Sequence, residues 1–81
     1  MAAGWFNCRV TMAGPAENGV IYVALTDVGG TFGSTWFSAV SSMKEEILAT
    51  ALSAIATSKN ASVYLTDTAA YSTINRFYIV A

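Results

Sequence analysis

Two hydrophobic periods run along this chain, and they divide it into strands and one helix. Residues 4–12 (GWFNCRVTM) alternate. Phe6, Cys8, Val10 and Met12 share one face and Trp5, Asn7, Arg9 and Thr11 the other, as in a half-buried strand. Residues 13–19 predict a loop, with Pro15 stopping the pairing and Asn18-Gly19 reversing the chain. A second strand follows near 19–27. Ile21, Val23 and Leu25 face one way, Val20, Tyr22 and Ala24 the other, and both sets are apolar, which fits a strand covered on both sides. A glycine-rich connection (DVGGTFG) leads to a short third strand near 34–40. The period then changes from two to 3.6. Ile47, Leu48, Ala51, Leu52 and Ile55 form one stripe of a helix near 42–58. Ser42 and Glu45 have the spacing of a capping box. Glu45 and Glu46 suit the positive end of the helix dipole and Lys59 its negative end, and Asn60 can close the helix in a left-handed conformation. Alternation returns near 61–67 and 73–81. Leu25-Thr26-Asp27 recurs as Leu65-Thr66-Asp67 where strands two and four end, with each aspartate placed to accept a backbone hydrogen bond in the turn. The predicted core is Phe6, Val10, Ile21, Val23, Leu25, Phe37, Ile47, Leu48, Leu52, Ile55, Val63, Leu65 and Ile79.

The back of the helix changes the picture. Glu46, Ala49, Thr50, Ser53, Ala56 and Thr57 lie opposite the apolar stripe, and the charges of the helix are confined to its first turn. A solvated helix back normally carries Lys and Glu, so this one is expected to face another surface. Composition agrees. Of 81 residues, 54% are hydrophobic and 11% charged, against about 25% charged in ordinary soluble domains. A single domain of this length buries only about 60% of its unfolded surface, so the apolar surplus calls for a second burial surface, supplied by self-association.

Three strands, a helix and two strands is the element order of the OB-fold, a five-stranded Greek-key barrel. The chain is therefore expected to be one all-β domain with a single helix between the third and fourth strands. It resembles the pentameric B subunits of bacterial toxins and related small bacterial proteins of unknown role. The resemblance rests on the Gly-Val-Ile-Tyr-Val second strand, the Trp36-Phe37 third strand, the uncharged helix from Lys44 through Ala56, and the closing residues Tyr71-Ser72-Thr73-Ile74 and Phe77-Tyr78-Ile79. It implies a ring of five, with helices lining a channel, sheets joined edge to edge, and a secreted or periplasmic setting. The chain lacks the disulfide common in those subunits and has a shorter helix and loops, so only the architecture carries over.

Candidate chemistry is sparse. There is no histidine and one cysteine. Cys8 alternates with Phe6 and Val10 and has no histidine base, so it is expected in the core and not as a nucleophile. No catalytic residue, metal ligand or cofactor is expected, and the chain is not expected to be an enzyme. The four cations (Arg9, Lys44, Lys59, Arg76) are scattered and the net charge is −1, which argues against nucleic acid. No apolar run approaches the roughly 20 residues of a membrane span, and Met1-Ala2-Ala3-Gly4 lacks the pattern of a signal peptide. In OB-folds the first and last strand-connecting loops flank the ligand face. Glu17, Asn18, Tyr22 and Tyr71 are therefore the expected ligand contacts. Trp36 and Trp5 are read as packing residues. Glu46, Ala49, Thr50, Ser53, Thr57, Tyr64 and Tyr78 are the expected interface between copies. The expected function is a homo-oligomeric module presenting loops to a glycan or protein. The alternatives are an accessory subunit docking a different protein and a single-stranded nucleic-acid binder.

Overall fold

The computed structural model describes residues 3–80. Its elements are β1 (Gly4–Pro15), β2 (Ile21–Asp27), β3 (Thr35–Ala39), a 3-10 turn (Ser41–Met43), α1 (Lys44–Thr57), β4 (Asn60–Leu65) and β5 (Thr73–Ile79). The strands close into a barrel in the order β1-β2-β3-β5-β4. Every pairing is antiparallel except the short parallel contact of β3 with β5. This is the expected OB-type barrel, with its helix between the third and fourth strands.

β1 is longer than its alternation predicts. Its first half, Gly4 to Arg9, pairs with β4, and its second half, Cys8 to Pro15, pairs with β2. A register shift between Val10 and Met12 accommodates one extra residue, a bulge that bends the strand. Pro15 does not stop the pairing but lies opposite Ile21. The missing N–H is tolerated because this end of β1 is paired on one side only. The bulge also overturns the phase of the strand. Cys8 and Val10 are buried as expected, but Met12 turns outward and is 48% exposed.

Val10, Ile21, Val23, Leu25, Phe37, Ile47, Val63 and Leu65 form the core as their periods predict, with Phe6 and Leu48 packed against it. Leu52, Ile55 and Ile79 do not belong to it; they are 49%, 37% and 37% exposed. The helix is rotated from its expected position, and Ile47, Ala51 and Ala54 are the residues it buries. The small alanines let it settle closely on the barrel end, which leaves Leu52 and Ile55 facing out. In β5 a second register shift, opposite Tyr64 and Leu65, places Ile74 and Phe77 in the core. Ile79 keeps that phase but ends the strand, where the barrel opens.

The helix ends also differ from the sequence reading. Ser42 lies in the 3-10 turn, and Met43 occupies the N-cap with no side-chain bond, so there is no capping box. Ser58, not Asn60, takes the left-handed conformation (φ 56°), and its N–H reaches the carbonyls of Ala54 and Ile55. Asn60 already belongs to β4. The two aspartates act as expected. Asp27 accepts the N–H groups of Gly29 (3.2 Å) and Thr31 (2.8 Å), and Asp67 accepts that of Thr68 (2.7 Å). Among the described residues no helix is long and apolar enough to cross a membrane.

Candidate functional site

The pairing register builds an open cleft on the outer face of β1, β2 and β3. Met12 lies opposite Ala24, and Ala24 opposite Trp36; one step along, Gly14 lies opposite Tyr22. Each row thus sets a small residue beside large ones, and the small ones leave a depression. The cleft measures about 440 Å³ and is lined by Met12, Ala13, Gly14, Pro15, Tyr22, Trp36 and Tyr71. The bulge in β1 delivers Met12 to this wall.

Tyr71 comes from the loop between β4 and β5 and closes the cleft. Its backbone is left-handed (φ 66°), which costs a ring-bearing L-residue roughly 1–2 kcal/mol. Two bonds fix the loop against β3. The Tyr71 N–H donates to the Trp36 carbonyl at 2.6 Å, and the Ser38 N–H donates to the Ser72 carbonyl at 2.9 Å. The Tyr71 ring stands edge-on to Tyr22, with centroids 5.5 Å apart and planes at 77°, yet the residue is 62% exposed. A strained backbone that holds an exposed ring over a cleft is a feature of binding sites more than of packing. Among the described residues the lining carries no charged side chain, so the cleft offers ring faces, two phenolic hydroxyls and an indole N–H.

Of the four expected ligand contacts, the structure brings Tyr22 and Tyr71 together and leaves Glu17 and Asn18 apart from them. Because β1 runs on to Pro15, the turn after it is tight. It is closed by Ala16 N–H to the Val20 carbonyl (2.8 Å) and Gly19 N–H to the Ala16 carbonyl (3.0 Å). Asn18 accepts the Val20 N–H (3.2 Å) and borders a different hollow, with Ser38 and Lys44. Glu17 is exposed at the tip of the turn. Trp36 and Met12 were not expected in the site. The alternation Trp36-out, Phe37-in was visible in the sequence; the bulge that turns Met12 was not.

The expected interface residues lie on two surfaces. Glu46, Ala49, Ser53 and Thr57 are exposed on α1 and Thr50 is half-buried. Thr50 and Thr57 donate their hydroxyls to the carbonyls of Glu46 (2.8 Å) and Ser53 (2.7 Å), so the helix face is less polar than its composition. Tyr64 and Tyr78 belong to a second outer face, on β1, β4 and β5. There Trp5 stacks on Tyr78 (5.8 Å, 18°) and meets Tyr64 edge-on (5.6 Å, 78°). Arg76 lies 5.9 Å from the centroids of both Trp5 and Tyr64. Cys8 is fully buried, and its thiol is pushed up to about 12, by burial first and by the Asp27 charge second. That thiol is a poor nucleophile.

Compared with known protein families, characterised proteins and solved structures, the chain matches none. Its class is defined by its own architecture, a small OB-type barrel with an aromatic cleft on the β2–β3 face.

Proposed function

We propose that this protein is a non-enzymatic binding module whose aromatic cleft takes a sugar residue of a glycan, and that it works as a ring of identical copies, five by the resemblance noted above. The observation that carries the reading is the cleft itself. Three rings from three separate segments border one open depression. Ring faces pack against the C–H faces of a pyranose, and hydroxyls at their edges serve its polyol rim. Nucleic acid is a poorer fit, because a stacking groove for a polyanion needs flanking cations. Arg9 and Lys59 border another hollow, beside the end of α1.

Assembly is supported by two strand edges. Val10–Pro15 of β1 is paired with β2 alone, and residues 75–79 of β5 with β4 alone, among the described residues. α1 packs against both strands, and the parts of these edges it leaves uncovered can pair with another chain. The accessory-subunit reading draws on exposed Leu52 and Ile55, which are equally suited to a different protein.

Gly14 supplies a direct test of the cleft. A Cβ added there meets nothing within 4 Å, so Gly14→Leu plugs the depression without disturbing the core. On a glycan array the wild type should bind, while Gly14→Leu, Trp36→Ala and Tyr71→Ala should each bind at least about tenfold more weakly, equivalent to about 1.4 kcal/mol. Binding should be nearly independent of salt. Salt-sensitive capture of single-stranded DNA with no glycan signal reverses the reading, and silence in both screens favours the accessory subunit.

A further inference from the structure

Two of the chain's four cations meet at a hollow that shares no lining residue with the aromatic cleft. Arg9, Ser58, Lys59 and Asn60 border it, where the end of α1 passes β1 and the start of β4, and its volume is about 460 Å³. The pairing explains the meeting. Arg9 lies directly opposite Asn60, so both side chains stand on one face of the sheet. Ser58 and Lys59 are the two residues that carry the chain from the helix to that strand. The buried Val10 and Ala54, with Ile55, supply the apolar part of the lining.

The polar groups of this hollow lack internal partners. Among the described residues, Arg9 and Lys59 are paired with no carboxylate, and the Ser58 hydroxyl and Asn60 carboxamide make no hydrogen bond. Comparable groups elsewhere are engaged locally. Thr50 and Thr57 donate to carbonyls one turn back, and Lys44 reaches the Gly19 carbonyl at 3.4 Å. Glu45 and Glu46 lie at the far end of α1, roughly 18 Å away along its axis. Asp27, next to the Thr26 that faces Arg9 across the ladder, is buried and accepts the N–H groups of its own turn. Backbone conformation adds a second observation. Ser58 and Tyr71 are the two non-glycine residues of positive φ among the described ones; one lines this hollow and the other the cleft. Glycine would hold either turn without strain, and strain kept by a residue with a side chain gathers at binding sites.

The donor set suits a doubly charged oxyanion. An arginine fork grips two oxygens of a phosphate at once and the lysine adds a point charge. The hydroxyl and the amide can each donate to a remaining oxygen. The end of α1 opposes this with roughly half a negative charge, less than one cation offsets, and its Ala54 and Ile55 carbonyls are already capped by the N–H groups of Ser58 and Lys59. Two cations match a phosphate monoester, whose charge at neutral pH is about −1.5 to −2. They are too confined for a polyanion, since Lys44 and Arg76 border other hollows. The space exceeds one phosphate, and its apolar lining suits the carbon body that carries the group.

We propose that this hollow is a second binding site, for a phosphate monoester on a small apolar body, with Arg9 and Lys59 holding the phosphate and Ser58 and Asn60 completing its hydrogen bonds. The site is independent of the sugar cleft.

Backbone amide NMR shifts, followed during titration with butyl phosphate, test it. Saturable shifts should appear at Arg9, Val10 and residues 54–60 and not at Trp36 or Tyr71. Butyl phosphate should bind at least about tenfold more tightly than butyrate, and Arg9→Gln and Lys59→Gln should each weaken it about tenfold. Both side chains are exposed, so neither change should move the urea midpoint. Ser58→Gly should weaken binding about threefold while making the protein more stable, a combination that a purely structural serine would not give. Vesicles of neutral lipid with and without phosphatidate identify the carrier. Co-sedimentation that requires phosphatidate, and is lost when both cations are replaced, assigns a lipid headgroup; butyl phosphate binding without it assigns a soluble ester. Absence of saturable shifts at millimolar concentration, wild-type affinity in the double variant, or equal binding of butyrate overturns the site, and the cleft reading survives each of these outcomes.

Discussion

Tyr71 combines backbone strain with exposure, and the two can be separated by substitution. Glycine at this position relieves the left-handed strain and removes the ring; alanine removes the ring and keeps the strain. Tyr71→Gly should therefore be more stable than Tyr71→Ala by about 1 kcal/mol in urea unfolding, although both lose sugar binding. Equal stabilities would mean that the loop relaxes out of the left-handed region. Asp27 is the second residue with a measurable signature. Its carboxyl is held below the ordinary value, first by the side chain of Thr31, against the opposing cost of burial, and further by the N–H groups of Thr31 and Gly29. A carboxyl lowered in the folded state stabilises above its unfolded value near 3.9, and that contribution is lost as pH falls through the folded value. Stability of Asp27→Asn should accordingly fall less than that of wild type between about pH 5 and pH 2. Both aspartates were legible as turn caps because a short acceptor at a strand end has few other uses. Tyr71's strain was not, since the need for a positive φ arises from how the loop meets β3.

At the scale of elements, the strands and helix followed from period alone, while their phases did not always. Alternation identifies a strand, but a single inserted residue reverses every later side chain. That is why Met12 leaves the face it was expected to share with Val10 and lines the cleft, and why Ile74 and Phe77 both turn inward across the shift in β5, while Ile79 keeps the phase of Phe77 but is exposed at the end of the strand. The helix stripe was broad enough to admit two orientations, and close packing on the barrel end chose the one that buries Ala51 and Ala54. The helix terminus gives a clean prediction. Ser58 holds a φ of 56° with its N–H on the carbonyls of the last turn, a position where glycine is the unstrained residue. Ser58→Gly should raise stability by about 0.5–1 kcal/mol, read as a shift of the urea midpoint at constant slope. A decrease would show that the side chain has a contact worth more than the strain.

The whole molecule exposes more apolar surface than one barrel of this size needs. Trp5, Met12, Leu52, Tyr71 and Tyr78 are all at least 47% exposed. With an aromatic cleft on one outer face and the Trp5, Tyr64 and Tyr78 cluster on the other, the surface is suited to association, and a stable contact should bury on the order of 800 Å² on each partner. Light scattering at high micromolar concentration should give a defined oligomer. Ala49→Glu or Ser53→Glu, on the uncharged outer face of α1, should lower the mass by setting like charges against each other around the ring. A wild-type monomer, or an assembly indifferent to both changes, rules out helix-lined association. The barrel topology was readable from element order; the edges were not, because which stretches of β1 and β5 lack a second neighbour depends on pairing lengths that no local pattern encodes.

The sealed thiol at Cys8 has a consequence for where such a protein can operate. It is the chain's one cysteine, it sits at zero exposure, and its ionisation is deferred to about 12. Oxidants and disulfide exchange act on thiolates that they can reach, and this fold presents none. The barrel gains nothing from an oxidising compartment and loses nothing in a reducing one, so a single folded form is compatible with either. Melting temperature should be the same with and without dithiothreitol, and maleimide should label the protein only after denaturant opens the barrel. Labelling under native conditions at neutral pH would reveal an opening motion that exposes the strand centre.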